Sequence, residues 1–237
     1  MNLPERAVPW GLGALFAAAY ALGMPGYDIP ALPFFCWLPF FPLALSAENS
    51  RRAALRGFLA GTAANLLLFY WIAYTVAVLG KLGWPLGCLA ALLESFYLGM
   101  YFAAAGFIVF RLSRRFGNVG LWVFPFAWIG LEFARSVLFS GFPWVLYGYS
   151  LAGSATLMQA ADLAGVFGLG FLLVAANVCL YRAGGGLLRR EYLRAAVPAA
   201  VLAGILAFLF AYGSYRIVEQ GTPPSGGSLL VGVAQGG

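Results

Sequence analysis

Seven apolar runs divide this chain, and its basic residues fall almost entirely into every second gap between them. The runs extend from about Val8 to Gly23, Ala31 to Ser46, Gly57 to Leu79, Pro85 to Phe110, Val119 to Phe139, Gly165 to Tyr181 and Ala195 to Tyr212. Arg6 precedes the first, and Arg51, Arg52 and Arg56 follow the second. Arg111, Arg114 and Arg115 follow the fourth, and Arg182, Arg189, Arg190 and Arg194 follow the sixth. Only Lys81, Arg135 and Arg216, of 14 basic residues, fall elsewhere. Runs of this length and apolarity belong in lipid, where no water satisfies the backbone and each segment must close its own hydrogen bonds as a helix. Positive charge stays on the cytoplasmic side of such a bundle. The pattern therefore predicts an all-α integral membrane protein of about seven transmembrane helices, with a cytoplasmic N-terminus and a C-terminus on the outer face.

The composition supports this and narrows the function. The chain is 62% hydrophobic and only 9% charged, whereas soluble domains carry roughly 25% charged residues. Its net charge of +6 sits in short loops between spans, so topology explains it better than a nucleic-acid partner would. The absence of histidine removes the usual general base and the commonest metal ligand. Cys36, Cys88 and Cys179 stand singly inside apolar runs, without metal-ligand spacing, and read as small packing residues. No metal site and no cofactor are expected.

The first run has a small-x-small sequence at Ala19-Tyr20-Ala21 that could mark a signal peptide, but an uncleaved span fits the bundle better. The second contains Pro33, Pro39 and Pro42, which kink it or force irregular backbone, and it could be re-entrant, returning to the cytoplasm as half of a helical hairpin. Ser154 to Ala164 is less apolar and is expected at the outer surface. The resulting division is a transmembrane helical domain over residues 1–215, a Gly/Pro/Ser linker over 216–228, and a short β-branched run over 229–237 that reads as the first strand of a further domain.

Four acidic residues, Asp28, Glu94, Glu132 and Asp162, lie in or near the membrane, where ionisable groups are expensive and usually functional or specifically paired. Glu132 and Arg135 are three apart and share one helix face, so they can pair; the pair is either structural or a support for an anionic headgroup or docked domain. Glu94 has no obvious partner in sequence. The densest local signal is Ser140-Gly141-Phe142-Pro143-Trp144-Val145-Leu146-Tyr147-Gly148-Tyr149-Ser150, a turn-rich loop crowded with aromatics. It reads as an interfacial anchor or as the rim of a lipid-entry cleft, with Phe142, Pro143, Trp144 and Tyr149 as the rim residues. Asn65, Gln159 and Asn177 are expected to bond between helices, and Gly165, Gly168 and Gly170 to permit close helix packing.

Several of these motifs resemble the membrane part of bacterial apolipoprotein N-acyltransferase. They are Glu132-x-x-Arg135, Ser140-Gly141-Phe142-Pro143-Trp144, Gly148-Tyr149-Ser150 and Gln159-x-x-Asp162-x-x-Gly165-Val166-x-Gly168-x-x-Phe171, with Tyr70-Trp71-Ile72 in support. Val231-Gly232-Val233-Ala234-Gln235-Gly236 is similar to the family's entry into its nitrilase-like domain. The resemblance implies an enzyme of the bacterial inner membrane that moves an acyl chain from a phospholipid donor to the N-terminal amine of a diacylglyceryl-cysteine apolipoprotein. The transfer passes through a cysteine thioester, with a Glu-Lys-Cys triad in a periplasmic nitrilase-like domain. The resemblance places that triad beyond residue 237, so no catalytic residue is expected within 1–237, and the nitrilase-like partner would be supplied in cis or as a separate chain. The remaining readings are a membrane half, a truncated homologue or one piece of a split enzyme. A secondary transporter, suggested by proline-broken spans with Glu94 and Glu132, and a non-catalytic membrane scaffold are the alternatives from other functional classes.

Overall fold

The computed structural model describes residues 3–220 and Gly232. Helix is the only regular secondary structure among the described residues. The elements are α1 (Leu3–Leu22), α2 (Phe40–Leu45), α3 (Ser50–Leu68), α4 (Tyr70–Tyr74), α5 (Trp84–Phe116), α6 (Phe124–Val137), α7 (Ala161–Leu188) and α8 (Tyr192–Gln220), with short 3-10 turns between them. The chain is an all-α, multi-pass membrane protein.

Among the described residues, Trp84–Phe116, Leu157–Leu188 and Tyr192–Glu219 are long and apolar enough to cross a membrane. A fourth candidate is the pair Ser50–Leu68 and Tyr70–Leu79, bent by 60°. The Asn49 side chain starts α3 by accepting from Arg52 N at 2.9 Å, an N-cap that satisfies one otherwise orphaned donor. Past the bend at Phe69, α4 runs into a π-helical turn at Thr75–Leu79. Pro85 in its first turn opens α5, and Arg114 and Arg115 lie in its last turn, where positive charge complements the helix dipole. Their guanidinium groups lie over Phe110 at 5.1 Å and Phe116 at 5.3 Å.

The other apolar runs take shorter forms. In the second, only the six residues of α2 are α-helical, preceded by a 3-10 turn at Leu32–Phe34. Its prolines remove backbone donors and stop a continuous helix. The segment nevertheless enters the centre of the bundle: Cys36, Trp37, Phe40 and Phe41 are fully buried. The Trp37 ring lies 4.5 Å from Trp128, 4.9 Å from Phe40 and 5.3 Å from Phe16. The fifth run divides into a 3-10 stretch at Gly117–Val123, the 14-residue α6 and a further 3-10 turn at Leu138–Ser140.

Helices α3 and α5 pack closely along their length. Gly57 and Gly61 lie one turn apart on α3, and a Cβ at either would run into Phe102 of α5. Gly99 and Gly106 of α5 meet Thr62 and the Ala53 carbonyl in the same way. Small residues at this spacing let two backbones approach in lipid, where packing rather than water exclusion drives association. The glycines near the start of α7 divide their roles. Gly165, at φ +63, is a break in the helix rather than a packing surface, while Gly170 packs against Ile129 and the Gly148 backbone. At the far end of the chain, α8 continues to Gln220, five residues into the stretch read as linker. The rest of that linker and the strand expected over 229–237 lie outside the described residues, apart from Gly232.

Candidate functional site

The loop after α6 is built by a reversal that only a few residue types tolerate. Helix α6 ends at Val137, the chain passes through Phe139 at φ +52 and Gly141 at φ +81, and Phe142 N then donates back to Arg135 O at 2.8 Å. At Gly141 a side chain would meet the Ser136 carbonyl as well as an unfavourable φ. The reversal lays residues 142–150 across the end of α6, over Glu132 and Arg135.

Those two residues face inward. Glu132 is 2% exposed and Arg135 4%. Glu132 Oε1 accepts from Tyr147 N at 2.7 Å and lies 3.7 Å from Arg135 Nη2, which itself donates to Val145 O at 3.2 Å. Val145 sits at φ +51, a left-handed conformation that a β-branched residue rarely adopts. The buried pair thus holds the loop backbone from below, through Tyr147 N and Val145 O. The second Glu132 carboxylate oxygen, Oε2, is buried and has no hydrogen-bond partner among the described residues.

A second anchor comes from the proline-rich segment. Tyr147 is fully buried, stacks on Tyr20 with ring centroids 5.6 Å apart, and donates to Pro33 O. Its hydroxyl lies 2.9 Å from Cys36 Sγ. Asn177 of α7, also fully buried, ties the same corner together. Its Oδ1 accepts from Trp37 N at 3.0 Å, and its Nδ2 donates to Pro33 O and Leu173 O, each at 2.8 Å. Gly148 completes the fit, since a Cβ there would overlap the Val166 carbonyl of α7.

What the loop presents outward is aromatic. Trp144 is 51% exposed and stacks on Trp71 at 5.5 Å. Phe142 lies 5.5 Å from Trp144 and 5.6 Å from Phe69. Phe142 and Trp144 therefore meet the bend between α3 and α4, and Pro143 is exposed beside them. Tyr149 is 42% exposed and makes no ring contact with that cluster among the described residues. Of the residues singled out from sequence, the structure gathers Phe142, Pro143 and Trp144 on one edge, places Glu132 and Arg135 beneath them, and leaves Tyr149 apart.

Other readings resolve individually. Glu94 lies on α5, where Ser95 Oγ donates to its Oε2 at 3.2 Å. Asp162 and Arg216 pair at 2.7 Å, and Tyr212 Oη donates to Asp162 at 2.8 Å. That pair gives a local reason for one of the cations that broke the loop pattern. Asn65 donates to Gly61 O within its own helix, and Gln159 to Ala155 O, so among the described residues neither bonds between helices as expected. Asn177 does bridge elements. Sequence reading missed Tyr147, Cys36, Phe69 and Trp71 as parts of the site. Trp71 was legible only within the Tyr70-Trp71-Ile72 motif, and Tyr147 only as one aromatic of the loop.

Comparison with known proteins gives the family. A family model described as the apolipoprotein N-acyltransferase N-terminal domain matches residues 13–179. Apolipoprotein N-acyltransferase of Geobacter metallireducens is 37% identical over 227 residues, covering 93% of this chain and 42% of that protein. The enzyme of Chromobacterium violaceum is 30% identical, covering 98% of this chain and 44% of that protein. The corresponding protein of Coxiella burnetii is 29% identical, covering 87% of this chain and 40% of its own length. This chain thus spans about two fifths of the length of the curated relatives it matches. The aromatic loop, the buried Glu132–Arg135 pair beneath it and the proline-broken segment that meets it all lie inside the matched region, and the chain belongs to the apolipoprotein N-acyltransferase N-terminal domain family.

Proposed function

We propose that residues 1–237 form the membrane platform for phospholipid-dependent N-acylation of lipoproteins in the bacterial inner membrane. The platform presents acyl chains to a periplasmic nitrilase-like domain, in cis or as a separate chain, which carries the Glu-Lys-Cys chemistry. The acyl donor is a phospholipid, and the acceptor is the N-terminal amine of a diacylglyceryl-cysteine lipoprotein. Residues 1–215 are the membrane part, 216–228 the connection, extended by α8 as far as Gln220, and 229–237 the first strand of the catalytic domain. Seven crossings from a cytoplasmic N-terminus bring the C-terminal end to the periplasmic face.

The observation that carries this reading is the aromatic edge formed by Phe142, Trp144, Trp71 and Phe69, held by backbone bonds to a buried ion pair. A half-exposed indole at headgroup depth suits the place where an acyl chain leaves the bilayer. Each buried methylene contributes about 0.8 kcal/mol, so donor tails lying against that apolar edge are held while the headgroup stays in water. Pro143 extends the rim, Tyr149 stands apart from it, and Glu132 and Arg135 act through the loop backbone rather than on the substrate.

The test joins this chain to a nitrilase-like half and follows acyl transfer from phospholipid to a diacylglyceryl peptide. Trp144→Ala is expected to reduce turnover about tenfold, while membrane insertion and the unfolding midpoint stay close to wild type. Unchanged turnover rejects the rim role. Labelling of a cysteine placed after Gln220 by an impermeant reagent in intact cells checks the orientation.

A further inference from the structure

A second lipid-sized feature lies at the other end of α3. Counting about 1.5 Å per residue, Phe69 at the aromatic edge stands roughly 26 Å along the helix from Arg52. Beside Arg52 a cavity of about 810 Å³ opens between α1 and α3. Its α3 wall is a single stripe, Arg52, Leu55, Arg56, Leu59 and Ala63, at the three- and four-residue steps of one helix face. Pro9, Trp10, Gly13 and Ala14 of α1 form the facing wall. The two helices close together at its base, where a Cβ on Gly13 would stand 3.8 Å from Ala60 Cβ.

Charge and greasiness are separated along this groove. Arg52, Arg56 and Glu48 gather at one end, and the remainder of the α3 wall is apolar. Arg56 is held in place, donating to Leu43 O at 3.1 Å and Ser46 Oγ at 3.0 Å. The Arg52 side chain has no hydrogen-bond or ion-pair partner among the described residues and is exposed. From Arg52 to Ala63 is about 16 Å along the helix, close to half of the ~30 Å hydrocarbon thickness. A groove one leaflet deep, cationic at its mouth and apolar below, complements one class of molecule.

We infer that this groove binds an anionic phospholipid, its phosphate against Arg52 and Arg56 and one acyl chain between α1 and α3. The site is separate from the aromatic edge and needs only that the bundle lie in a membrane, so it stands or falls independently of the acyl-transfer reading. Its occupant is a structural or regulatory lipid rather than the acyl donor at the rim.

The whole chain in phosphatidylcholine nanodiscs, doped with phosphatidylglycerol carrying a mid-chain photoactivatable diazirine, tests this. Adducts mapped by peptide mass spectrometry are expected to concentrate on the Trp10–Ala14 and Leu55–Ala63 segments. A phosphatidylcholine probe, or the Arg52→Gln variant, should lower that labelling about fivefold, the equivalent of one surface cation. Ala63→Trp, which fills the apolar end and leaves the arginines in place, should displace the label as well. Adducts spread evenly over the lipid-facing sides of α5 and α8 overturn the proposal. So do equal labelling by the two probes, labelling indifferent to both variants, and protein–protein crosslinks through the groove in place of lipid adducts.

Discussion

Two parts of this bundle satisfy the same physical demand by different means. The α7–α8 pair consists of helices of 28 and 29 residues whose backbone bonds close mostly within each segment, apart from the break at Ala164 and Gly165 and the missing donor of Pro198. Polar side chains there are few: Asp162 and Arg216 pair close to the helix ends, with Tyr212 beside them, and Asn177, midway along α7, bonds to the other part. The region around residues 29–45 and 138–151 is irregular, with a six-residue helix, several 3-10 turns and left-handed residues at Phe139 and Val145. Its backbone cannot satisfy itself, and lipid offers nothing to bond to. Buried side chains do so instead: Asn177 for Pro33 and Trp37, Glu132 for Tyr147, Arg135 for Val145. In this part of the protein, polar side chains receive the irregular backbone, and the aromatic edge stands on it.

The contrast can be broken most forcefully at Glu132. Glu132→Leu strands the Arg135 charge and the Tyr147 amide together and is expected to cost about 3–5 kcal/mol of stability, read as unfolding in detergent. Glu132→Leu combined with Arg135→Met should be less destabilised than the single change, since no buried charge is then left alone; an equal or greater loss would show that the backbone bonds outweigh the ion pair. Asn177→Leu comes next. It leaves the Trp37 amide without its acceptor and weakens the Pro33 corner, at about 2–4 kcal/mol for two buried polar groups, and it should expose Cys36 to thiol reagents. Gly57→Leu tests the close helix pair rather than the polar pins. A side chain forced against the Phe102 carbonyl should cost about 1–3 kcal/mol by overpacking. The smallest effect is expected in the regular half. Asp162→Asn removes a partly exposed ion pair with Arg216 and should leave the unfolding midpoint unchanged. A large shift there would erase the distinction between the two regions.

Much of this was readable from residue order. Apolar length and interrupted charge located α5, α7 and α8 to within about four residues at their N-terminal ends, but the runs stop at Phe110, Tyr181 and Tyr212 while the helices continue to Phe116, Leu188 and Gln220. Glu132 and Arg135 could be paired from their spacing, since three residues on a helix return to one face. The prolines at 33, 39 and 42 announced irregular backbone but not its destination. That the segment would turn inward and place Trp37 at the centre of the aromatic core depended on contacts with Phe16, Phe102 and Trp128 from three other helices. Gly57 and Gly61 carried a packing signal in their four-residue spacing, which became meaningful only once Phe102 was seen opposite them.

By itself the sequence determined that this chain lives in lipid as helices, which ends of its spans carry positive charge, and which loop holds its concentrated aromatic signal. Those are properties of composition and period, set by the cost of an unbonded backbone in hydrocarbon. Only the tertiary structure decided that Tyr147 faces inward while Trp144 faces out, that Asn177 serves a segment 140 residues away, and that Arg52 fronts a groove. Such choices are made by partners distant in the chain, and no local pattern encodes which of two neighbouring aromatics will find a hydrogen-bond acceptor in the core.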